Sequence, residues 1–191
     1  MNKPFFCIFF SLFLITSASF AQAKWSFDDA HSNLQFAVSH LMVTEVEGSV
    51  KIKESTLITP TADFSDATVY LVADMNSIDT DNEGRDENLK TADIFDAAKY
   101  PDMIFKSASF KKIDGNKYSV TGDLTFHGVT KSQTFEAIAL TNIRSYDNKT
   151  IVGFKVNGII NRIDYGIATD TPSAMLGNEV NIRVNAIYVM E

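Results

Sequence analysis

Apolar and polar residues alternate with a period of two along most of this chain. In the run 34–40, Leu34, Phe36 and Val38 fall on one face, with Gln35 and Ser39 on the other. Successive side chains of a β-strand point to opposite faces, so this period predicts half-buried strands. The pattern returns in six further runs, at 50–53, 69–75, 103–107, 120–126, 152–160 and 180–190.

Turn signals separate these runs at the short spacing that is typical of β-hairpins. About eight antiparallel strands joined in this way can close into an up-and-down barrel or form a two-layer sandwich. Strands of about ten residues favour the barrel, because closure removes the long exposed edges that a sandwich would leave. We therefore predict an all-β, eight-stranded antiparallel barrel. The turn signals are Asp114-Gly115-Asn116, His127-Gly128 and Asp147-Asn148.

The interior of such a barrel has two interpretations. An eight-stranded barrel is either filled by its own side chains or just able to hold one small ligand. Small residues on the apolar faces leave out volume that a Leu or Phe would occupy, which is consistent with a cavity. Facing aromatic rings could equally fill those gaps. The small residues concerned are Ala73, Ser107, Gly122, Gly158 and Ala186.

One segment, from Gly84 to Ser107, interrupts the alternation. Residues 81–95 carry the signals of a short helix, namely a capping side chain at Asp81 or Asn82, an acidic first turn and an apolar stripe that includes Leu89. A sheet protein with so long a crossing between strands is expected to have an opening beneath it. The segment is therefore interpreted as a helical lid.

Two arginines near this opening each allow a structural and a functional interpretation. Arg85 either pins the lid to the barrel through an acidic partner or contacts the polar head of a ligand. Arg162 either holds a strand end in place as a latch or contacts the polar head of a ligand. The structural role is favoured for both. The acidic partners considered for Arg85 are Asp86, Asp93 and Asp164.

The first residues have the features of an export signal. Lys3 is followed by the apolar run Phe5 to Ile15 and by Ala21-Gln22-Ala23, a small-residue cleavage pattern. We predict a cleaved signal peptide over residues 1–23 and a periplasmic or secreted domain over residues 24–191. The alternative is that residues 1–23 stay attached as a membrane anchor. Cys7 is the only cysteine, so the remaining 168 residues (191 − 23) contain none and their core must hold without disulfides.

Composition excludes several partners. The net charge is −7, or −8 without Lys3, and no basic cluster is longer than Lys111-Lys112. This charge pattern argues against nucleic acid as a partner. No second long apolar run follows Lys24, so an integral membrane protein is not expected.

Catalytic motifs are weak. His31, His40 and His127 could supply three nitrogens to zinc, but no two of them form a His-x-His or His-x-x-x-His pair. No Gly-x-Ser-x-Gly elbow is present either. We therefore predict no metal site, no cofactor and no catalytic residues, with a metal-dependent hydrolase as a less favoured alternative.

Six motifs, in this order, resemble the YceI-like family of exported lipocalin-like proteins. The likeness runs over nearly the whole chain after residue 23. The motifs are Asp29-Ala-His31-Ser32 with Phe36-Ala-Val38-Ser-His40; Gly84-Arg85-Asp86-x-x-Leu89; Asp93-Ile-Phe95-Asp96; Tyr100-Pro101 with Phe105-x-Ser107; Gly122-Asp-Leu124-Thr-x-His127-Gly128-Val129-Thr130-Lys131; and Asn161-Arg162-x-Asp164-Tyr-Gly166-Ile167.

This resemblance implies an elongated pocket for a polyisoprenoid, a quinone or another amphiphilic lipid, and binding rather than catalysis. Asn88 and Ile94 stand where many relatives have His and Phe, so the mouth of the pocket is expected to differ in polarity and width. Core packing is the alternative role for each apolar candidate. The candidate ligand-binding residues are Phe36, Val38, His40, Leu71, Arg85, Phe95, Met103, Phe105, Leu124, Phe126, Phe154, Ile160, Ile167, Val184 and Tyr188.

The preferred function is therefore that of an exported protein that sequesters or carries a long apolar lipid. The alternative is an envelope stress or interaction protein whose barrel core is filled. The sequence does not decide whether the protein forms a homodimer.

Overall fold

A computed structural model describes residues 22–61, 63–146 and 149–191, and the side chains of all of these except 141–146. The predicted signal peptide lies outside the described residues but for its last two positions. Cys7 and the predicted turn Asp147-Asn148 also lie outside them. Ala23 is the first residue of the first strand.

Eight antiparallel strands form one closed barrel, which confirms the predicted fold class. Each strand pairs with its neighbours in sequence, and the last strand pairs with the first. The strands are β1 (Ala23–His40), β2 (Thr44–Thr59), β3 (Thr68–Asp79), β4 (Asp102–Asp114), β5 (Lys117–Phe126), β6 (Val129–Tyr146), β7 (Lys149–Asn161) and β8 (Leu176–Met190).

β1 is longer than its alternating run because side-chain hydrogen bonds carry it through a polar stretch. The Ser32 hydroxyl donates to the backbone oxygen of Asp28 at 2.6 Å and accepts from the Ile187 N–H of β8 at 2.9 Å. The Asp28 carboxylate also accepts from the backbone N–H of His31. Strand pairing shifts register across this stretch. The polar residues before Leu34 therefore belong to the barrel wall.

The helix is shorter than predicted. α1 spans Glu83–Lys90 rather than 81–95, and the Asn82 side chain caps it by accepting the Arg85 N–H at 2.9 Å. Thr91 has the extended angles that end a helix, and turns then lead to Pro101. None of the helical residues is buried. Across the part of the chain that is described, no helix is long and apolar enough to span a membrane.

The two ends of the barrel carry different connections. At one end, called here the lid end, lie α1, the β1–β2 and β5–β6 turns and the segment 162–175, which begins with a 3₁₀ turn over Arg162–Tyr165. At the other, called the Trp25 end, β1 starts and the loop 60–67 crosses. Between these ends, the apolar side chains of the strands point into the barrel and form a single core.

Candidate functional site

An apolar cavity of about 90 Å³ lies inside the barrel. All eight strands contribute to its wall. The only polar side-chain atom among the lining residues is the hydroxyl of Tyr188. The lining residues are Leu34, Leu57, Val69, Leu71, Met103, Phe105, Phe110, Val120, Leu124, Phe135, Ala137, Phe154, Val156, Ile160, Ile182, Val184, Ala186 and Tyr188.

The structure brings part of the predicted set together in this wall, and whether these residues bind a ligand stays a prediction. The predicted residues in the lining are Leu71, Met103, Phe105, Leu124, Phe154, Ile160, Val184 and Tyr188. The remaining candidates lie outside it. His40 is exposed at the end of β1, and Val38 is buried between β2 and β8. Phe36, Arg85, Phe95, Phe126 and Ile167 lie nearer the lid end.

The prediction omitted several lining residues that sit on the same apolar strand faces. The period-two pattern also covers Leu34, Val69, Val120, Val156, Ile182 and Ala186, which could have been included on that ground. Others come from a strand or from strand positions that the pattern did not identify, namely Leu57, Phe110, Phe135 and Ala137.

Aromatic rings fill the space beside two of the small inward residues. A Cβ atom on Gly122 would meet the β4 backbone, with Cα of Ser107 at 2.6 Å, as well as Cζ of Phe105 at 2.8 Å. One on Gly158 would lie 2.8 Å from Cε1 of Phe135. The two rings meet edge to face with their centroids 5.4 Å apart. The filled-gap interpretation is therefore correct at both glycines. Ala186 alone of the small residues lines the cavity.

A cluster of aromatic rings closes the Trp25 end. Phe64, from the loop 60–67, packs 5.9 Å from Trp25 and 5.3 Å from Phe154, centroid to centroid. The Tyr118 hydroxyl donates to the backbone oxygen of Asp63 at 2.6 Å, which fastens the loop over the barrel. All four rings are buried. This end is a closed floor.

A second, more exposed aromatic cluster lies at the lid end. Phe95, which follows α1, packs on Phe126 at 5.6 Å, and Phe126 packs on Tyr165 at 5.7 Å. Burial raises the pKa of Tyr165, whose hydroxyl accepts from Gln133 at 3.0 Å. Phe95 remains half-buried. The candidates Phe95 and Phe126 therefore cap the barrel rather than line its cavity.

A model of the YceI-like domain matches residues 25–188, which is nearly the whole barrel. The chain belongs to the YceI-like family. UPF0312 protein SA2479 of Staphylococcus aureus strain N315 is 34% identical over 171 residues, which cover 86% of this chain and 96% of that protein.

Solved structures of the same architecture are similar to this YceI-like barrel. BcnA of Burkholderia cenocepacia is 23% identical with a TM-score of 0.75, covering 84% of this chain and 98% of its own. The YCEI protein of Campylobacter jejuni is 31% identical with a TM-score of 0.69, covering 80% and 89%. A polyisoprenoid binding domain from Saccharophagus degradans is 16% identical with a TM-score of 0.65, covering 87% and 98%.

In this YceI-like protein, Arg85 and Asp86 fasten α1 to the end of β3. Arg85 donates from Nε to the Thr80 hydroxyl at 2.7 Å and from Nη2 to the Thr80 backbone oxygen at 2.6 Å. The Asp86 carboxylate accepts from the N–H of Thr80 at 2.9 Å and from its hydroxyl. The fastening therefore runs through buried Thr80. Within the described residues, Arg85 forms no ion pair with the three acidic partners considered above.

Arg162 is buried among backbone carbonyl groups, although it is a cation. Its Nε donates to Gly177 at 3.0 Å, and its two terminal nitrogens donate to further oxygens of the segment 167–178. Burial lowers the pKa of this guanidinium. With every N–H used internally, Arg162 acts as the latch and is not placed to contact a ligand head. The remaining acceptors are the backbone oxygens of Ile167, Ala168, Thr171 and Leu176 and the side-chain oxygen of Asn178.

The hydroxyl of Tyr188 is already satisfied inside the barrel. The Ser55 hydroxyl donates to the backbone oxygen of Tyr70 at 2.9 Å, so its own oxygen is free to accept from Tyr188 at 2.8 Å. Burial raises the pKa of Tyr188 to about 12. The cavity therefore presents neither a charge nor an unpaired polar group at this point.

The three histidines have separate surroundings. His31 contacts the Asp28 carboxylate through Nδ1 at 2.9 Å on the exposed part of β1. His127 donates from Nδ1 to the backbone oxygen of Tyr165 at 3.0 Å and packs edge to face on Tyr100. Among the residues that the structure describes, no three His, Cys, Asp or Glu side chains are grouped so that they could hold a metal ion.

Proposed function

We propose that this protein is an exported carrier that holds the long apolar tail of a polyisoprenoid, quinone or similar lipid in its barrel cavity. The observation that carries the proposal is the cavity wall, whose lining is apolar apart from one hydroxyl that is already hydrogen-bonded. A hydrocarbon tail needs no polar contacts along its length. Burial of such a tail gains about 25 cal/mol for each Å² of apolar surface removed from water.

One structural neighbour is named for the same ligand class. The Saccharophagus degradans domain is described as polyisoprenoid binding. At 16% identity that likeness concerns the fold, so the ligand class for this chain rests on its own cavity. Binding rather than catalysis is the role that such a wall favours, since an apolar lining offers no acid, base or nucleophile.

Entry of a long tail requires the cavity to widen. Its volume of about 90 Å³ is well below the roughly 300–1,000 Å³ of typical small-molecule sites. Met103 is unbranched and can change rotamer at low cost. Phe105 and Phe135 lie against glycines, where the backbone leaves no Cβ to restrict the rings. We propose that these three side chains change rotamer along the wall as the tail enters from the lid end.

The export step belongs to the same proposal. Residues 1–23 carry the features of a signal peptide, and a barrel without cysteine folds equally well in an oxidising compartment. Such a carrier would hold its lipid in the periplasm or in the medium. A homodimer stays a prediction that size measurement in solution can test.

Native mass spectrometry of protein purified from its own cell tests the carrier proposal. We expect an additional hydrophobic mass that organic solvent extracts, and we expect the empty protein to regain such a mass from added polyprenol. Protein that is repeatedly empty and takes up no polyprenol would contradict the proposal and favour the filled-core interaction protein. The small cavity volume is the observation that favours this second candidate, the interaction protein with a filled core. Stoichiometric zinc in the same sample would favour the metal-dependent hydrolase.

A further inference from the structure

The turn between β1 and β2 exposes three consecutive large apolar side chains. Leu41, Met42 and Val43, called here the apolar tip, are exposed by 49%, 76% and 82%. Met175 adjoins them, because its backbone oxygen accepts the Leu41 N–H at 2.9 Å, and it is exposed by 52%. Single exposed apolar residues are common on proteins, but a contiguous group at a protruding turn marks a contact site.

The backbone conformation of the apolar tip is unfavourable for its residue types. Leu41 and Met42 have φ angles of 54° and 57°, and the N–H of Val43 bonds back to the oxygen of His40 at 3.3 Å. Positive φ at both central positions of a hairpin turn strongly favours Asn-Gly or similar pairs. The β5–β6 turn of the same barrel follows that preference in part, with Gly128 at φ 74°. A connection alone gives no reason for Leu-Met, so the strain indicates another role.

The apolar tip lies at the lid end. β1 ends at His40, opposite Thr44 at the start of β2 and Leu176 at the start of β8, and at the same end of the barrel as α1 and the cluster of Phe95 and Phe126. A surface that received the apolar tip would therefore face the end of the barrel at which the capping ring of Phe95 is half-buried. The Trp25 end, closed by Phe64, would point away from it.

We propose that the apolar tip docks the lid end of the barrel onto a neutral lipid bilayer. The inference rests on the proposed function, because a tail of the proposed class resides in a bilayer and must leave it to reach the cavity. The convex shape of the turn suits insertion between lipid head groups. Three side chains give a weak, reversible contact, which is what a carrier that must leave again requires.

The charges around the apolar tip specify a neutral membrane. Residues 35–50 contain no Lys or Arg, and Glu45 and Glu47 follow on the exposed face of β2. Asp79 and Asp81 border the same outer surface, and the carboxylates there outnumber the cation Arg183. Anionic head groups would be repelled by these carboxylates over roughly 10 Å at 0.1 M salt. Neutral phosphatidylcholine would not.

Vesicle co-sedimentation tests the proposal with one tip variant and one control. Leu41→Asn with Met42→Gly supplies the favoured turn pair and removes two apolar side chains. We expect its association with phosphatidylcholine vesicles to fall about tenfold or more, since each fully buried aliphatic side chain contributes at least that factor. The melting temperature should stay the same or rise, which excludes misfolding as the cause. Ile113→Ser, 61% exposed before the change and at the Trp25 end, should associate like the wild type.

Vesicles that contain phosphatidylglycerol provide the charge test. We expect weaker association of the wild-type protein at low salt and recovery as salt is raised. Equal association of the double variant and the wild type would overturn the proposal, as would an equal loss in Ile113→Ser. A tip-dependent complex with another protein, without tip-dependent vesicle association, would also overturn it in favour of a protein partner.

Lipid capture separates failure of this inference from failure of the carrier function. Each protein is incubated with polyprenol in detergent and weighed by native mass spectrometry. Capture by all variants with no tip-dependent vesicle association would refute docking alone. Absence of capture by the wild type would refute the carrier function itself.

Discussion

The ring of Phe135 on β6 stands directly over Gly158 on β7, in the space that any larger residue at position 158 would need. A Cβ atom there would lie 2.8 Å from Cε1 of the ring, closer than real side chains approach. Phe135 also lines the cavity and packs edge to face on Phe105. The backbone of β7 at this point thus determines how far one ring reaches into the cavity.

We expect Gly158→Ala to destabilise the barrel by about 1–3 kcal/mol, because the added methyl group forces the Phe135 ring out of its place. Urea unfolding measures the change in free energy. Gly84→Ala is the matched control, since a Cβ atom there would meet only Asn82 Oδ1 at 3.7 Å. In the exposed helix that change should be neutral or stabilise by up to about 1 kcal/mol. Equal stability of the two variants would refute the steric account.

Phe105→Trp should reduce polyprenol capture while the barrel remains folded, because the larger ring takes up cavity volume. Phe126→Trp provides a comparison within the lid-end cluster, where the ring packs on Phe95 and Tyr165 rather than in the cavity wall. Capture is measured by native mass spectrometry, and folding by far-ultraviolet circular dichroism. Undiminished capture by Phe105→Trp would mean that the wall is misassigned.

Ser55→Ala should cost more stability than Tyr188→Phe. Loss of the serine leaves the buried Tyr188 hydroxyl without an acceptor, at a cost of about 1–3 kcal/mol. Loss of the tyrosine hydroxyl leaves Ser55 still bonded to the oxygen of Tyr70, so the cost should be nearer 1 kcal/mol. Chemical denaturation of both variants at neutral pH provides the comparison. The reverse order would show that the serine donates to the tyrosine.

Alkaline pH should destabilise the protein through Tyr188. Its pKa is raised from 10.0 to about 12 in the folded state, so above pH 10 the unfolded chain releases a proton that the folded chain keeps. The stabilising contribution is complete below pH 10 and is lost as pH rises to 12, about 2–3 kcal/mol in all. Tyr188→Phe should flatten this slope in unfolding experiments. Some slope should remain, because the pKa values of Tyr118 and Tyr165 are also raised.

Arg162→Met should destabilise the barrel by at least about 3 kcal/mol, because several backbone carbonyl groups lose their only cationic donor. Arg162→Lys should be intermediate, since an ammonium group supplies three donors in place of five. Hydrogen exchange should report faster opening at the amides of Thr171, Met175 and Leu176, which are bonded within the same segment. Unchanged exchange there in the Met variant would exclude the latch.

Period two predicted the barrel because most strands present uninterrupted apolar faces. β6 was not predicted, and its sequence explains why. Between Val129 and Phe135, Lys131 and Gln133 occupy the alternate positions that are apolar in other strands. Lys131 is exposed, and Gln133 donates to Tyr165. Polar residues near a barrel end satisfy buried partners from other elements, so local alternation alone misses such a strand.

The residues that close the Trp25 end could not be predicted from the sequence either. Phe64 reaches the core from a loop and adopts a φ of 62°, which local preference disfavours. Its position depends on Trp25 and Phe154, both far away in sequence. The candidate site was predictable to the extent that it follows strand faces. The residues that close its two ends depend on contacts between distant elements.

The closed Trp25 end has a consequence for selectivity. In the proposed carrier, a tail that entered from the lid end would meet Phe64, Trp25 and Phe154 and could go no further without unfastening the loop that Tyr118 holds. A tube open at both ends would accept chains of any length. The proposed carrier has a fixed floor, so chain length would decide whether the lipid's head clears the rim. Tails of identical chemistry would then be sorted by their number of carbons.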